Sequence, residues 1–178
     1  MKRYILNITT LVVAIFSANI AWGQTEIKET WNGGTLSGSY KLTGNTTLTS
    51  SITVASGKTL TVDLNGFTLD RKGTKAADFV FLVDGTLNIE DNSKDKTGKI
   101  QGGRGDRGGC ALISGTVNFK GGEITGCIST DGTHGELPTN NTTAENQHYV
   151  TQGCGGAFFV NSGATLKMSG TAKITNCK

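Results

Sequence analysis

Proline is almost absent from this chain, occurring once, at Pro138, among 178 residues. Aromatic side chains are scarce as well, at 7%, too few for the clustered aromatics that line an enzyme's sugar-binding groove. Excess charge is missing too. The formal net charge is only +3, and it falls to about +1 when Lys2 and Arg3 are removed with the leader described below. A chain so near neutral has no electrostatic footprint for nucleic acid or for an anionic membrane. No GxSxG stretch marks a nucleophile, no CxxC pair marks a zinc site, and the two histidines, His134 and His148, sit in polar surroundings. What is abundant is glycine, at 26 residues, together with Thr and Asn. That mixture suits many short strands joined by tight turns and suits long helices poorly.

The first 23 residues read as a secretory signal peptide. Lys2 and Arg3 give a positive start, Leu11 to Phe16 an apolar run, and Ala21 and Gly23 the small residues before a cleavage site. The run is short and interrupted by Asn7, Thr9, Thr10 and Asn19, which disfavours a membrane anchor, and no second apolar segment follows. The expectation is export, to the periplasm, the cell surface or the medium, with no membrane span after cleavage. The remaining 155 residues amount to one domain.

Within that domain one phrase keeps returning. Ser56 to Leu69, SGKTLTVDLNGFTL, recurs as Asp84 to Ile100, Ser114 to Ile124 and Ser162 to Ile174. Self-similarity of this kind is the mark of a stacked repeat. Aligned on Thr59, Thr86, Thr116 and Thr165, the copies give two apolar columns, Leu60/Leu87/Val117/Leu166 and Val62/Ile89/Phe119/Met168, and a further one, Leu69/Ile100/Ile124/Ile174. Aligned on Gly57, Gly85, Gly115 and Gly163, they give Val54/Leu82/Leu112/Val160 and Ile52/Val80/Cys110/Phe158. Strict alternation buries one face and wets the other, so the apolar columns are expected to stack inside. The Thr anchors lie 27, 30 and 49 residues apart. The long interval holds one coil plus a polar insertion at 129–152, expected to be a surface loop. Residues 24–55 are assigned to an N-terminal cap and first strands, and 56–178 to the coils.

The runs YKLTGNTTLTSSITVASGKTLTVDLNGFTL (Tyr40 to Leu69) and GCGGAFFVNSGATLKMSG (Gly153 to Gly170) resemble bacterial exported right-handed parallel β-helix proteins, the pectin-lyase-like class. That resemblance implies an all-β solenoid of coils, each with three short strands around an apolar core. The class includes polysaccharide lyases and hydrolases, adhesin-like passengers and surface proteins of other kinds, so the resemblance is specific for fold and not for activity. Lys178 follows the last strand with no polar cap, which reads as an N-terminal fragment of a longer protein or as an end covered by a partner.

Four residue groups are candidate sites. Cys110, Cys127, Cys154 and Cys177 allow three disulfide pairings in an exported chain, or serve as buried thiols, the preferred reading. Cys127 and Cys177 end the matching phrases ITGC and ITNC. The tripeptide Arg104-Gly105-Asp106 resembles an integrin-read adhesion motif, which a flexible glycine-flanked loop would display; in a glycine-rich corner the preferred reading is a solvated turn. Asp63 and Glu90 fall in one outward column with Lys120 after them, either a weak calcium site or a Glu90–Lys120 pair beside a solvated Asp63. Calcium requires six or more oxygens, which one column does not supply. Asn45, Asn140 and Asn141 open N-glycosylation patterns that Thr- and Asn-rich turns produce unaided. No catalytic pair, metal set or cofactor site can be named. The expectation is therefore an exported, non-catalytic scaffold that binds polysaccharide or a surface protein. The alternatives are the N-terminal part of a carbohydrate-active enzyme of polysaccharide lyase type and an adhesin.

Overall fold

The computed structural model describes residues 23–130 and 155–178. Residues 1–22 and 131–154 lie outside the described residues, and with them most of the expected signal peptide (1–23) and of the expected insertion (129–152), Pro138, both histidines and Cys154. Every regular element among those described is a strand, and none is a helix that could cross a membrane.

The chain opens with β1 (Thr25–Trp31), β2 (Gly34–Thr35) and the long β3 (Gly38–Leu48). Four layers follow. The first holds β4 (Ile52–Val54), β5 (Thr59–Asp63), β6 (Thr68–Asp70) and the short β7 (Ala77–Asp78). The second holds β8 (Phe81–Val83), β9 (Thr86–Glu90), β10 (Lys99–Gln101) and β11 (Arg104–Gly105). The third holds β12 (Ala111–Ile113), β13 (Thr116–Phe119), β14 (Glu123–Thr125) and β15 (Ile128–Ser129); the fourth holds β16 (Phe158–Val160), β17 (Thr165–Met168) and β18 (Lys173–Thr175).

Equivalent strands of successive layers pair side by side. β2, β4, β8, β12 and β16 form one parallel sheet. The strands β5, β9, β13 and β17 form one arm of a ten-stranded curled sheet, and β6, β10, β14 and β18 form the other. β3 joins the arms, because its first half pairs with β5 and its second half with β6. The exception to parallel pairing lies in the small sheet β7–β11–β15, where β7 meets β11 antiparallel.

The Thr-anchored columns stand as expected: Thr59, Thr86, Thr116 and Thr165 are register partners, and the columns through Leu60, Val62 and Leu69 follow. The glycine-anchored columns need correction. The true partners are Ile52/Phe81/Ala111/Phe158, Thr53/Leu82/Leu112/Phe159 and Val54/Val83/Ile113/Val160. Leu82 and Leu112 therefore point outward, and Phe81, Val83, Ala111 and Ile113 fill the core. Val80 and Cys110 are buried too, but at the corner preceding those strands.

The error arises because the aligned glycines are not equivalent. Gly57 and Gly163 sit in longer corners, with φ +71° and +81° and open space where a side chain would stand. There Lys58 N–H donates to the Ala55 carbonyl and Ala164 N–H to the Asn161 carbonyl, closing a turn. Gly85 and Gly115 sit in shorter corners pressed on the layer below. A Cβ on Gly85 would meet the Ala55 and Lys58 carbonyl oxygens at 2.3 Å, and one on Gly115 the Gly85 oxygen at 2.1 Å.

The two ends of the stack differ. At the first end β1 lies over β3 with Glu26, Lys28 and Glu29 along it, and the register shifts between Ile27 and Glu29, where Glu29 has φ +67°. Charge and a bulge are the usual devices that keep a free edge from pairing. At the other end the column members Val160, Met168 and Ile174 are 41%, 45% and 39% exposed, whereas their partners deeper in the stack are buried.

Candidate interaction faces

Three lateral faces carry the outward columns. On the β5–β9–β13–β17 arm the ladder Thr61/Asn88/Asn118/Lys167 is hydrogen-bonded along the stack. Asn88 Nδ2 donates to Thr61 Oγ1 at 3.2 Å, and Asn118 Nδ2 to Asn88 Oδ1 at 2.9 Å. Lys120 Nζ reaches Glu90 Oε1 at 2.9 Å, and that bond holds the Glu90 carboxyl below its ordinary value against the opposing effect of burial. The ladder-pair reading of Glu90 and Lys120 thus stands.

Asp63 is a correction. It is 2% exposed, not solvated, and its Oδ1 accepts the N–H of Asn65 at 3.0 Å and of Asn92, one layer on, at 2.9 Å. Asp91 makes the reciprocal staple. It is 4% exposed; Oδ1 accepts Gly66 N–H of the previous layer at 2.9 Å, Ser93 N–H at 3.2 Å and Ser93 Oγ at 2.7 Å, and Oδ2 accepts Gly98 N–H at 2.7 Å. Burial pushes the Asp91 carboxyl up, yet these donors together hold it below the ordinary 3.8. Both carboxylates are occupied by chain N–H groups and by the turns they make. Among the described residues no three His, Cys, Asp or Glu side chains converge as metal ligands.

On the β6–β10–β14–β18 arm, Lys99 pairs with Glu123 at 3.5 Å, and Gln101 Nε2 donates to Asp70 Oδ2 at 2.9 Å. Thr175 Oγ1 donates to Glu123 Oε1 at 2.6 Å; this bond, ahead of the Lys99 charge, lowers the Glu123 carboxyl. A shallow depression of about 290 Å³ lies here between Asn45, Thr47, Thr68, Asp70, Lys72 and Gln101. A second of similar size lies at the corner of the other arm, beside Glu90, Asn92, Lys96, Lys120 and Thr171.

The third face, on the β4–β8–β12–β16 sheet, is apolar at its centre. Thr53, Leu82, Leu112 and Phe159 form one half-buried outward column. The Arg107 guanidinium sits 5.4 Å from the centre of the Phe159 ring, a cation–π contact. Sequence reasoning placed Leu82 and Leu112 inside. Each lies between two apolar residues, in FLV and ALI, so alternation could not tell which members faced the core. Only the register of whole strands distinguishes them.

Arg104, Gly105 and Asp106 are held and not displayed on a flexible loop. Arg104 and Gly105 are β11, between β7 and β15. Gly105 is buried with the Phe79 ring where a Cβ would stand, 2.2 Å from its nearest atom. Asp106 N–H donates to the Ala76 carbonyl at 2.8 Å, and its carboxylate lies 3.9 Å from Arg107 Nε. Nearby, Arg71 Nη2 meets Asp78 Oδ1 at 2.8 Å, while the Lys75 and Thr74 N–H groups bond Asp78 Oδ2 and, ahead of Arg71, lower its carboxyl.

Cys110 and Cys127 are buried free thiols, and Cys177 is a half-buried one, consistent with the packing reading for these three. Comparison of the chain with protein-family models, with curated proteins and with solved structures found no match in any of the three.

Proposed function

We propose that this chain is an exported right-handed parallel β-helix of the pectin-lyase-like kind that serves as a non-catalytic scaffold at the cell surface or in the medium. Its lateral faces bind a polysaccharide or a surface protein. Three matched strands per layer, in register over four layers, support the helical winding. The observation that carries the binding reading is the outward Leu82–Leu112–Phe159 column with Arg107 over its end. Apolar side chains standing in a row on a sheet, with a guanidinium at one end, form the kind of patch that partners cover. On the other faces many polar side chains bond to one another along the ladders.

The test is binding of the purified chain to arrays of polysaccharides and of surface proteins, beside a Leu112→Lys variant of unchanged melting temperature. Specific binding lost in the variant supports the scaffold. Binding that the variant retains moves the site to another face. Release of shortened saccharide from a bound polysaccharide would make the chain part of a carbohydrate-active enzyme instead.

A further inference from the structure

The phrases ITGC and ITNC fold identically. Ile124 and Thr125 are register partners of Ile174 and Thr175. The next residue in each, Gly126 and Asn176, turns with positive φ, +62° and +51°. Cys127 and Cys177 then stand one above the other, and the Lys178 N–H donates to the Cys127 carbonyl at 3.0 Å. Partners in neighbouring strands lie about 4.8 Å apart, inside the Cα separation of about 4.4–6.8 Å that a disulfide spans. The Cys177 thiol points back toward the third layer, with Sγ 3.9 Å from the Ile124 carbonyl oxygen and 3.4 Å from that of Thr175.

We propose that Cys127 and Cys177 are a disulfide-forming site that locks the fourth layer onto the third. Cys177 is the half-buried member, and so the one that an oxidant meets first, although burial raises its thiol above the ordinary value and only its minor thiolate form attacks; Cys127 is enclosed. The Cys177 thiolate attacks one sulfur of a small disulfide, RSSR, and expels RS⁻. The Cys127 thiolate then attacks the Cys177 sulfur of the mixed disulfide and expels the second RS⁻. The two thiol protons end on the two RS⁻ groups. Two electrons pass from the protein to RSSR, leaving one protein disulfide and two RSH. Cys127 suits the second step. Contact with the Cys110 thiol lowers its own thiol against the effect of burial, helped by the Gly103 backbone and Cys177. Burial instead raises Cys110 well above the ordinary thiol value and leaves it the inert neighbour.

The bond would close a loop of about 50 residues, long enough to stabilise the fold appreciably. It would also pin the layer whose Val160, Met168 and Ile174 are most exposed.

The full chain, folded, is equilibrated with mixtures of oxidised and reduced glutathione, quenched in acid, unfolded in guanidinium so that every thiol is accessible, alkylated at neutral pH and mapped by mass spectrometry without reduction. The expected result is one peptide pair joined through Cys127 and Cys177, with a melting temperature higher by about 5 °C or more, reversed by reductant. Cys177→Ser should leave Cys127 and Cys110 fully alkylated. Alkylation of both Cys127 and Cys177 in the wild type at every ratio overturns the proposal, as does a link from Cys127 to Cys110 or Cys154. The wild-type map decides the matter even should the variant fail to fold.

Discussion

Replacing Asp91 with alanine removes the acceptor that joins the corners of the first two layers. Its carboxylate takes N–H bonds from Gly66, Ser93 and Gly98 and one hydroxyl bond from Ser93. The Gly98 bond is wholly buried, and leaving that N–H without a partner costs about 1–3 kcal/mol. The Gly66 and Ser93 groups are partly accessible and can turn to water, so each loses about 0.5–1 kcal/mol. The sum is about 2–5 kcal/mol, or roughly 6–15 °C in melting temperature for a domain of this size. Asp91→Asn keeps the shape but turns an amide donor toward one of these N–H groups, and should fall between the two. Because the folded Asp91 carboxyl titrates below its ordinary 3.8, its contribution is complete above that value and is lost as pH falls through the lower folded value. The gap between wild type and Asp91→Asn, measured by calorimetry, should therefore be full near pH 7 and shrink only as pH falls below the ordinary carboxylate value. An Asp91→Ala protein melting within about 1 °C of wild type would refute the staple.

Other substitutions test the register and the corners. Leu112→Ser should cost under about 1 kcal/mol, because the side chain faces outward, whereas Ile113→Ser should cost about 3 kcal/mol or more; urea denaturation separates them, and equal losses would move the register by one. Gly57→Ala meets no atom but must hold a positive φ, and should lose about 1 kcal/mol. Gly115→Ala drives a Cβ into the Gly85 carbonyl and should lose several times as much in the same assay. Glu90→Gln breaks an exposed ion pair and should shift stability by no more than about 0.5 kcal/mol, a bound that thermal melting can check.

The stacking was legible wherever strict alternation met a fixed anchor. Thr59, Thr86, Thr116 and Thr165 start their strands, and everything counted from them keeps its place. Counting from glycine failed because glycine serves two purposes here, a positive φ at Gly57 and a close approach at Gly85, in corners of different length. Asp63 was read as outward because alternation was carried to the last residue of β5, where the chain turns and the side chain folds back on it. The DxN spacing of Asp63 and Asn65 was the available sign that the carboxylate would turn back on the chain. The glycines around Arg104 suggested a loose loop, yet Gly105 is there to let a strand pass the Phe79 ring. That contact joins residues 26 positions apart, and no local pattern reports it.

The claim on which the rest depends is that the four copies stack layer on layer, each aligned by its Thr. Nitroxide labels at Thr59 and Thr165, in the partially exposed Thr column, measure it directly by dipolar broadening of the electron paramagnetic resonance spectrum. Three layer spacings place the backbones at these sites about 14–15 Å apart although 106 residues separate them in sequence. Broadening consistent with about that distance, removed when the chain is unfolded, is the expected result. A spectrum no broader than the sum of the two single labels would contradict the stack.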